Sequence, residues 1–177
     1  MAKVKWEVDA AHSAIEFSVR HMMISRVKGV FHDFEANVEA DPNDLTTADI
    51  EISIDVASID TRNEDRDNHL RSADFFEVEK FPKMTFKVTD ITKKGDDDYD
   101  LTGDLALRGV TKPVTFSATL EGVAKDPWGS EVAGLNAQGK LKRSDFGLTW
   151  NNTLETGGVL VGDEVTISIE IEAKKQA

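Results

Sequence analysis

The chain has 177 residues, 40% of them hydrophobic, which suits one folded domain with a substantial core and excludes a disordered protein. Its 33 acidic and 21 basic residues give a formal net charge of −12, which argues against nucleic-acid binding and against electrostatic docking onto anionic lipid. Because the chain has no cysteine, disulfides, thiolate metal sites and a cysteine nucleophile are excluded.

The first residues, Met-Ala-Lys-Val-Lys-Trp, already alternate by Trp6 and contain no apolar run of signal-peptide length. Nor does any stretch of the sequence approach the length of a membrane span. We therefore expect a cytoplasmic protein without stable membrane insertion.

Apolar residues at every second position predict β-strands in chain order, because side chains of a strand point alternately to opposite faces. The pattern is clearest in Ile50–Val56, Val114–Leu120 and Val165–Ile171. The predicted strands are 4–9, 13–21, 27–40, 47–58, 83–92, 98–108, 113–124, 131–142 and 163–173. Short connections rich in Asp, Asn, Pro and Gly predict that successive strands are antiparallel neighbours.

Residues 61–80 interrupt this pattern, because they are highly charged and do not alternate. Thr61 and Glu64 have the spacing of a capping box, which predicts a helix over about 62–71. A short turn from Ser72 would follow, held to the sheet by Phe75 and Phe76.

The strand pattern predicts an all-β protein with one domain over residues 1–177. A sandwich would leave open sheet edges, so about eight long antiparallel strands favour a closed up-and-down barrel with a short helical insertion around 61–80. An eight-stranded barrel is just wide enough to be filled by side chains or to hold one small ligand. The spacing of the strands does not separate these two alternatives.

Candidate polar sites are few. The histidines His12, His21, His32 and His69 are scattered without metal-ligand spacing, so no metal site is predicted. Arg62 and Arg66 are four apart and would share one helix face, either to bind an anionic head group or as part of a solvated surface. No pair of carboxylates, serine triad or phosphate loop stands out, so no catalytic site is predicted.

Motifs spread along the chain carry a resemblance to a known family. In the N-terminal half they are Trp6, Asp9, His12-Ser13-x-Ile15-x-Phe17-x-Val19-x-His21 and Val27-x-Gly29-x-Phe31-x-x-Phe34. The strongest is Ser58-Ile59-x-Thr61-x-x-x-x-Arg66-Asp67-x-His69-Leu70, followed by Asp74-Phe75-Phe76 and Phe81-Pro82-x-x-Thr85-Phe86. The last are Gly103-x-Leu105-x-Leu107-Arg108-Gly109-Val110-Thr111-Lys112-Pro113-Val114 and Arg143-Ser144-Asp145-Phe146-Gly147-Leu148. In this order and spacing the chain resembles the YceI-like family of lipocalin-type, polyisoprenoid-binding proteins.

The resemblance implies an extended eight-stranded barrel that binds an amphiphile without covalent chemistry, such as a polyisoprenoid, an isoprenoid quinone or a fatty-acid derivative. It implies no enzymatic activity and no cofactor, and it links the protein to stress responses. Many members of the family carry an export signal, whereas this chain begins without one, which favours the cytoplasm. Two alternative functions stay open: a stress-related protein with a solid core, and an enzyme acting on lipophilic substrates. A homodimer of the binding protein also stays open.

Given the resemblance, we predict a ligand-lined interior, with the inward residues inferred from the alternation. They are Phe17, Val19, Phe34, Val38, Ile52, Ile54, Phe86, Val88, Leu105, Leu107, Phe116, Ala118, Leu135, Ile167 and Ile169. The candidates for binding a polar head group are His21, Arg62, Arg66 and His69. The motif residues Arg66, Asp67, His69, Arg108 and Arg143 could equally serve to hold the helical segment on the barrel.

Overall fold

Strand segments joined mainly by short turns account for most of the described chain. The computed structural model describes residues 3–22, 24–41, 43–149, 151 and 161–176. The strands are β1 (Val4–Val8), β2 (Ala14–His21), β3 (Ser25–Phe31), β4 (Phe34–Asp41), β5 (Asp44–Asp55), β6 (Ile59–Asp60), β7 (Lys83–Lys93), β8 (Asp98–Leu107), β9 (Val110–Lys125), β10 (Glu131–Lys142) and β11 (Val161–Lys175). One helix, α1 (Glu64–Arg71), and 3-10 turns at Ala10–His12, Val56–Ser58 and Arg143–Phe146 complete the elements of the described part.

The eleven segments form eight strand positions. β1 and β2 together form the first position, and both pair with β11. β3 and β4 together form the second position, and β5 and β6 together form the third. From β5 onward each long strand pairs with the next one in the chain, and β11 returns to β1 and β2. All of these pairings are antiparallel, which confirms the predicted eight-stranded up-and-down barrel.

Two predicted strands are interrupted where the barrel wall bends. The predicted strand 27–40 breaks at His32–Asp33, and the predicted strand 47–58 ends at Asp55. There the amide of Asp33 donates to the Ser58 hydroxyl at 3.0 Å, and Ser58 Oγ donates to the Asp55 carbonyl at 2.6 Å. These side-chain hydrogen bonds add to the backbone bonds from His32 to Ser58 and from Asp55 to Asp33, an arrangement that alternation alone does not reveal.

The helix is capped by a different residue from the predicted one. It begins at Glu64, and its N-cap is Asn63, whose Oδ1 accepts the amide of Arg66 at 3.0 Å. The capping box predicted from Thr61 and Glu64 is wrong, because Thr61 is buried and its hydroxyl donates to Asp67 Oδ1 at 2.5 Å. Arg62, between Thr61 and the N-cap Asn63, adopts a left-handed φ of 63°, and this turn separates Thr61 from the helix.

The two ends of the barrel differ. At one end, which we call the hairpin end, short turns join β4 to β5, β7 to β8 and β9 to β10. The other end, which we call the covered end, carries residues 56–82 and 143–148, with Phe75, Phe146 and Leu148 in the main core. A small separate cluster of Trp6, Ala40 and Ala173 lies toward the hairpin end. Within the described residues, α1 is too short and too polar to cross a lipid bilayer.

Candidate functional site: the apolar interior of the barrel

Side chains leave two cavities unfilled inside the barrel. The hairpin-end cavity has a volume of about 100 Å³, and the covered-end cavity has a volume of about 120 Å³. Both are lined almost wholly by apolar side chains, with Glu16 and Arg143 as the charged residues in the wall of the covered-end cavity. An engineered apolar cavity of about 150 Å³ binds benzene, so each of these smaller spaces suits a hydrocarbon group of a few carbons.

A single layer of side chains separates the two cavities. Ile52, Phe86, Phe116 and Ile169 border both of them, and they come from β5, β7, β9 and β11. The rings of Phe86 and Phe116 meet edge to face, with centroids 5.0 Å apart and planes at 81°. This is a favourable aromatic geometry, and because β7 and β9 both pair with β8, the two rings pack against each other on the inner side of β8.

The structure brings nearly all the predicted interior residues to these cavities. Besides the shared layer, Val38, Val88, Ala118 and Leu135 line the hairpin-end cavity. The covered-end cavity is lined by Phe17, Val19, Ile54, Leu105, Leu107 and Ile167. Phe34 is placed differently, because it is half-buried and packs against the core without bordering either cavity.

Several lining residues were not predicted. Leu70, Phe75 and Phe76 close the covered end, and Trp6 and Tyr99 border the hairpin-end cavity. Phe75 and Phe76 were predicted to hold the turn to the sheet but not to line the interior, and Leu70 carries the same signal, because it is an apolar residue in the otherwise charged segment 61–80. The signal for Tyr99 was also available, because it follows a run of aspartates but alternates with Leu101, Gly103, Leu105 and Leu107 on β8.

The head-group candidates lie outside both cavity walls. Arg66 donates from Nε and Nη2 to the hydroxyl and carbonyl of Thr61, at 2.8 and 2.7 Å. His69 Nε2 is 2.8 Å from Asp74 Oδ2. Arg62 is exposed, and His21 is half-exposed at the end of β2. The contacts of Arg66 and His69 tie parts of the segment 61–80 to one another.

Two further motif arginines hold the covered end together. Arg143 is buried, and its guanidinium donates to the carbonyls of Leu148 and Gly162 at 2.8 Å each. Arg108 donates to the carbonyls of Gly147 and Ala73, at 2.7 and 2.8 Å. Burial lowers the pKa of Arg143, while the carboxylate of Asp163 opposes that change. Arg108 thus satisfies two loop carbonyls, and Arg143 satisfies one loop carbonyl and one at the start of β11.

One polar cluster lies outside the barrel interior. Nδ1 of His12 is 2.7 Å from Asp9 Oδ2 and 3.5 Å from Glu172 Oε2, and these three residues are the group in the described chain with metal-ligand proximity. The sequence analysis did not predict it, since Glu172 comes from the distant strand β11. The hydrogen bond to Asp9 raises the pKa of His12 and lowers the pKa of Asp9.

We expect an NMR titration of the His12 ring protons to give a pKa above the ordinary 6.5. The pair therefore stabilises the fold most between pH 3.8 and pH 6.5, the ordinary pKa values of Asp9 and His12; the contribution is lost as pH rises through the raised pKa of His12 and as pH falls through the lowered pKa of Asp9. Because both side chains are exposed, added salt weakens the effect. Asp9→Asn should return the His12 pKa toward its ordinary value; an unchanged titration would show that the contact does not persist in solution.

These features define a closed eight-stranded antiparallel barrel with an apolar interior, and the sequence comparison names the family. The sequence model of the YceI-like domain matches residues 6–173, so the chain belongs to the YceI-like family. The UPF0312 protein SA2479 of Staphylococcus aureus (strain N315) is 41% identical over 165 residues, covering 93% of this chain and 94% of that protein.

Solved structures show the same barrel. BcnA of Burkholderia cenocepacia superposes with a TM-score of 0.81 at 27% identity, covering 94% of this chain and 99% of that one. The Campylobacter jejuni YCEI protein gives 0.78 at 36% identity, covering 89% and 90%. A polyisoprenoid binding domain from Saccharophagus degradans gives 0.70 at 15% identity, covering 98% and 99%, and this likeness concerns the fold alone.

Proposed function

We propose that the protein binds one hydrophobic or amphiphilic small molecule inside the barrel and does not alter it chemically. The ligand class is a polyisoprenoid, an isoprenoid quinone or a fatty-acid derivative. The observation that carries the proposal is the pair of apolar cavities at the centre of the barrel. Membership of the YceI-like family and the shared fold of a polyisoprenoid binding domain support the same ligand class.

Unfilled space in a protein core is costly. The atoms that line such a space lack the van der Waals contacts that close packing provides. A hydrocarbon that fills the space restores the missing contacts, and each methylene it buries contributes about 0.8 kcal/mol.

The chemistry of the interior favours binding over catalysis. General acid–base or nucleophilic catalysis needs polar groups that converge on the substrate. The wall of the covered-end cavity contains Glu16 and Arg143 as its charged residues, and Arg143 already donates to backbone carbonyls. Glu16 lies on the side of β2 opposite to Phe17 and is exposed. The described interior therefore offers a hydrocarbon surface and no pair of groups suited to proton transfer.

The test is direct. Protein purified from its native host should release an amphiphile into organic solvent that mass spectrometry identifies, and a dansylated fatty acid or geranylgeraniol should bind to the delipidated protein with saturable affinity. Recovery of the added prenol unchanged after prolonged incubation would agree with a non-catalytic role. A protein that carries no lipid and also ignores both probes would instead favour a stress-related protein with no bound ligand; turnover of the probe would reveal an enzyme.

A further inference from the structure

Three inward positions of the barrel wall are glycines, and each lies against the ring of an inward-facing phenylalanine on the neighbouring strand. A Cβ built on Gly139 would be 2.5 Å from Phe116 Cδ1, and one built on Gly103 would be 2.7 Å from Phe86 Cζ. A Cβ built on Gly29 would likewise be 2.4 Å from the ring of Phe17. The rings thus occupy the space that a side chain of the facing residue would fill.

Two of these three rings are those of the layer that separates the cavities. Because Phe116 lies against Gly139 and Phe86 lies against Gly103, both rings are held toward the wall of the barrel. Phe116 is directly opposite Gly139 in the register between β9 and β10. We call the space over each of these glycines a glycine recess. A ring that is displaced from its recess can move only toward the centre of the barrel, because the strands close the wall.

Resting on the function proposed above, we infer that the Phe86–Phe116 layer determines the length of chain the barrel accepts, and that Gly139 sets the position of the Phe116 ring. A short hydrocarbon chain can lie on one side of the layer and occupy one cavity there. A longer chain must pass the layer and occupy both. The passage is widest when Phe116 lies in its glycine recess, so residues 116 and 139 act together as specificity determinants.

Gly139 provides a sharper test than Gly103. The three nearest atoms to a Cβ at Gly139 all belong to the Phe116 side chain, whereas a Cβ at Gly103 would also be 2.6 Å from the backbone carbonyl of Lys87. Gly139→Ala therefore displaces a side chain, while Gly103→Ala disturbs the strand. Gly134 is a matched control on the same strand, because its Cβ would be 3.6 Å from Glu121 Cβ, an ordinary contact.

The experiment compares geraniol with geranylgeraniol as competitors of a bound dansylated fatty acid. We expect Gly139→Ala to lower the affinity for geranylgeraniol relative to geraniol by at least about tenfold, the loss of roughly two buried methylenes. Phe116→Ala should shift the same ratio in favour of geranylgeraniol. The double variant should behave like Phe116→Ala, because the added methyl group then has no ring to displace, and Gly134→Ala should match the wild type.

The outcomes separate the two proposals. If the wild-type protein binds these prenols and the ratio is the same in all variants, the layer does not select chain length and this inference is overturned. If the double variant keeps the defect of Gly139→Ala, the added methyl group acts through the strand and not through Phe116, which also overturns it. If the wild type binds neither prenol nor the fatty acid, the proposed function fails, and the length determinant fails with it.

Discussion

Leu105→Arg is expected to abolish binding of prenols and fatty acids by the barrel. Leu105 is 4% exposed, lies at the middle of the covered half of β8 and lines the covered-end cavity. An arginine at this position places an unpaired charge in a hydrocarbon environment that already contains Arg143 in its wall. We expect a loss of more than about 4 kcal/mol in the free energy of unfolding, together with the loss of probe binding.

Two variants separate loss of the site from loss of the fold. Asp104→Arg adds the same side chain at the adjacent, exposed position of β8 and should retain both stability and binding. Leu105→Asn buries an uncharged amide, so it should fold with a destabilisation of about 1–3 kcal/mol and bind the dansylated fatty acid more weakly. Chemical denaturation and fluorescence titration measure the two quantities. If folded Leu105→Arg bound the dansylated fatty acid as tightly as the wild type does, the ligand would lie outside the barrel.

Arg143→Ala is expected to lower the free energy of unfolding by about 3–5 kcal/mol. Arg143 is 5% exposed, and besides Leu148 and Gly162 it donates to the carbonyl of Val161 at 3.2 Å. Its guanidinium also lies 5.9 Å from the centroid of Phe75. Removing the guanidinium leaves these carbonyls without their donor. They lie where residues 143–148 meet the start of β11 and the segment that covers the barrel.

Arg143→Lys tests whether charge alone suffices. An ammonium is a compact point charge and does not reproduce the planar fork that reaches several carbonyls, so most of the loss should remain. Arg26→Ala is the comparison, because Arg26 is exposed and donates to Ser18 Oγ at 3.4 Å; its effect should stay within about 0.5 kcal/mol. Equal effects of Arg143→Ala and Arg26→Ala on urea unfolding would contradict a structural role for Arg143.

The polar motif residues show where sequence reasoning needs tertiary structure. The spacing of Arg62 and Arg66 is compatible with a head-group site and with a solvated helix. In the structure, Arg66 and Asp67 both hydrogen-bond Thr61 and so fix the start of the helix. Thr61 precedes a left-handed residue, and such a local turn has no signature in alternation or in helix propensity.

The interior residues show the opposite case. Alternation assigns the faces of Ile52, Phe86, Leu105 and Ile169 correctly, because a strand that is buried on one side fixes its register through its apolar residues. Phe34 follows the same pattern yet borders neither cavity, since it begins β4 directly after the break at His32–Asp33. Local alternation does not reveal how far along the barrel axis a residue lies.

The sequence by itself determined the all-β class and most of the inward faces, because period-two alternation and short turns are local properties of the chain. The closed barrel was favoured by the long antiparallel strands and implied by the resemblance to the YceI-like family. Only the tertiary structure decided that the interior is two cavities separated by an aromatic layer, with glycine recesses beside the rings. Those features depend on which residues of different strands face each other across the barrel, and contacts such as Phe116 with Gly139 arise only when the strands are paired.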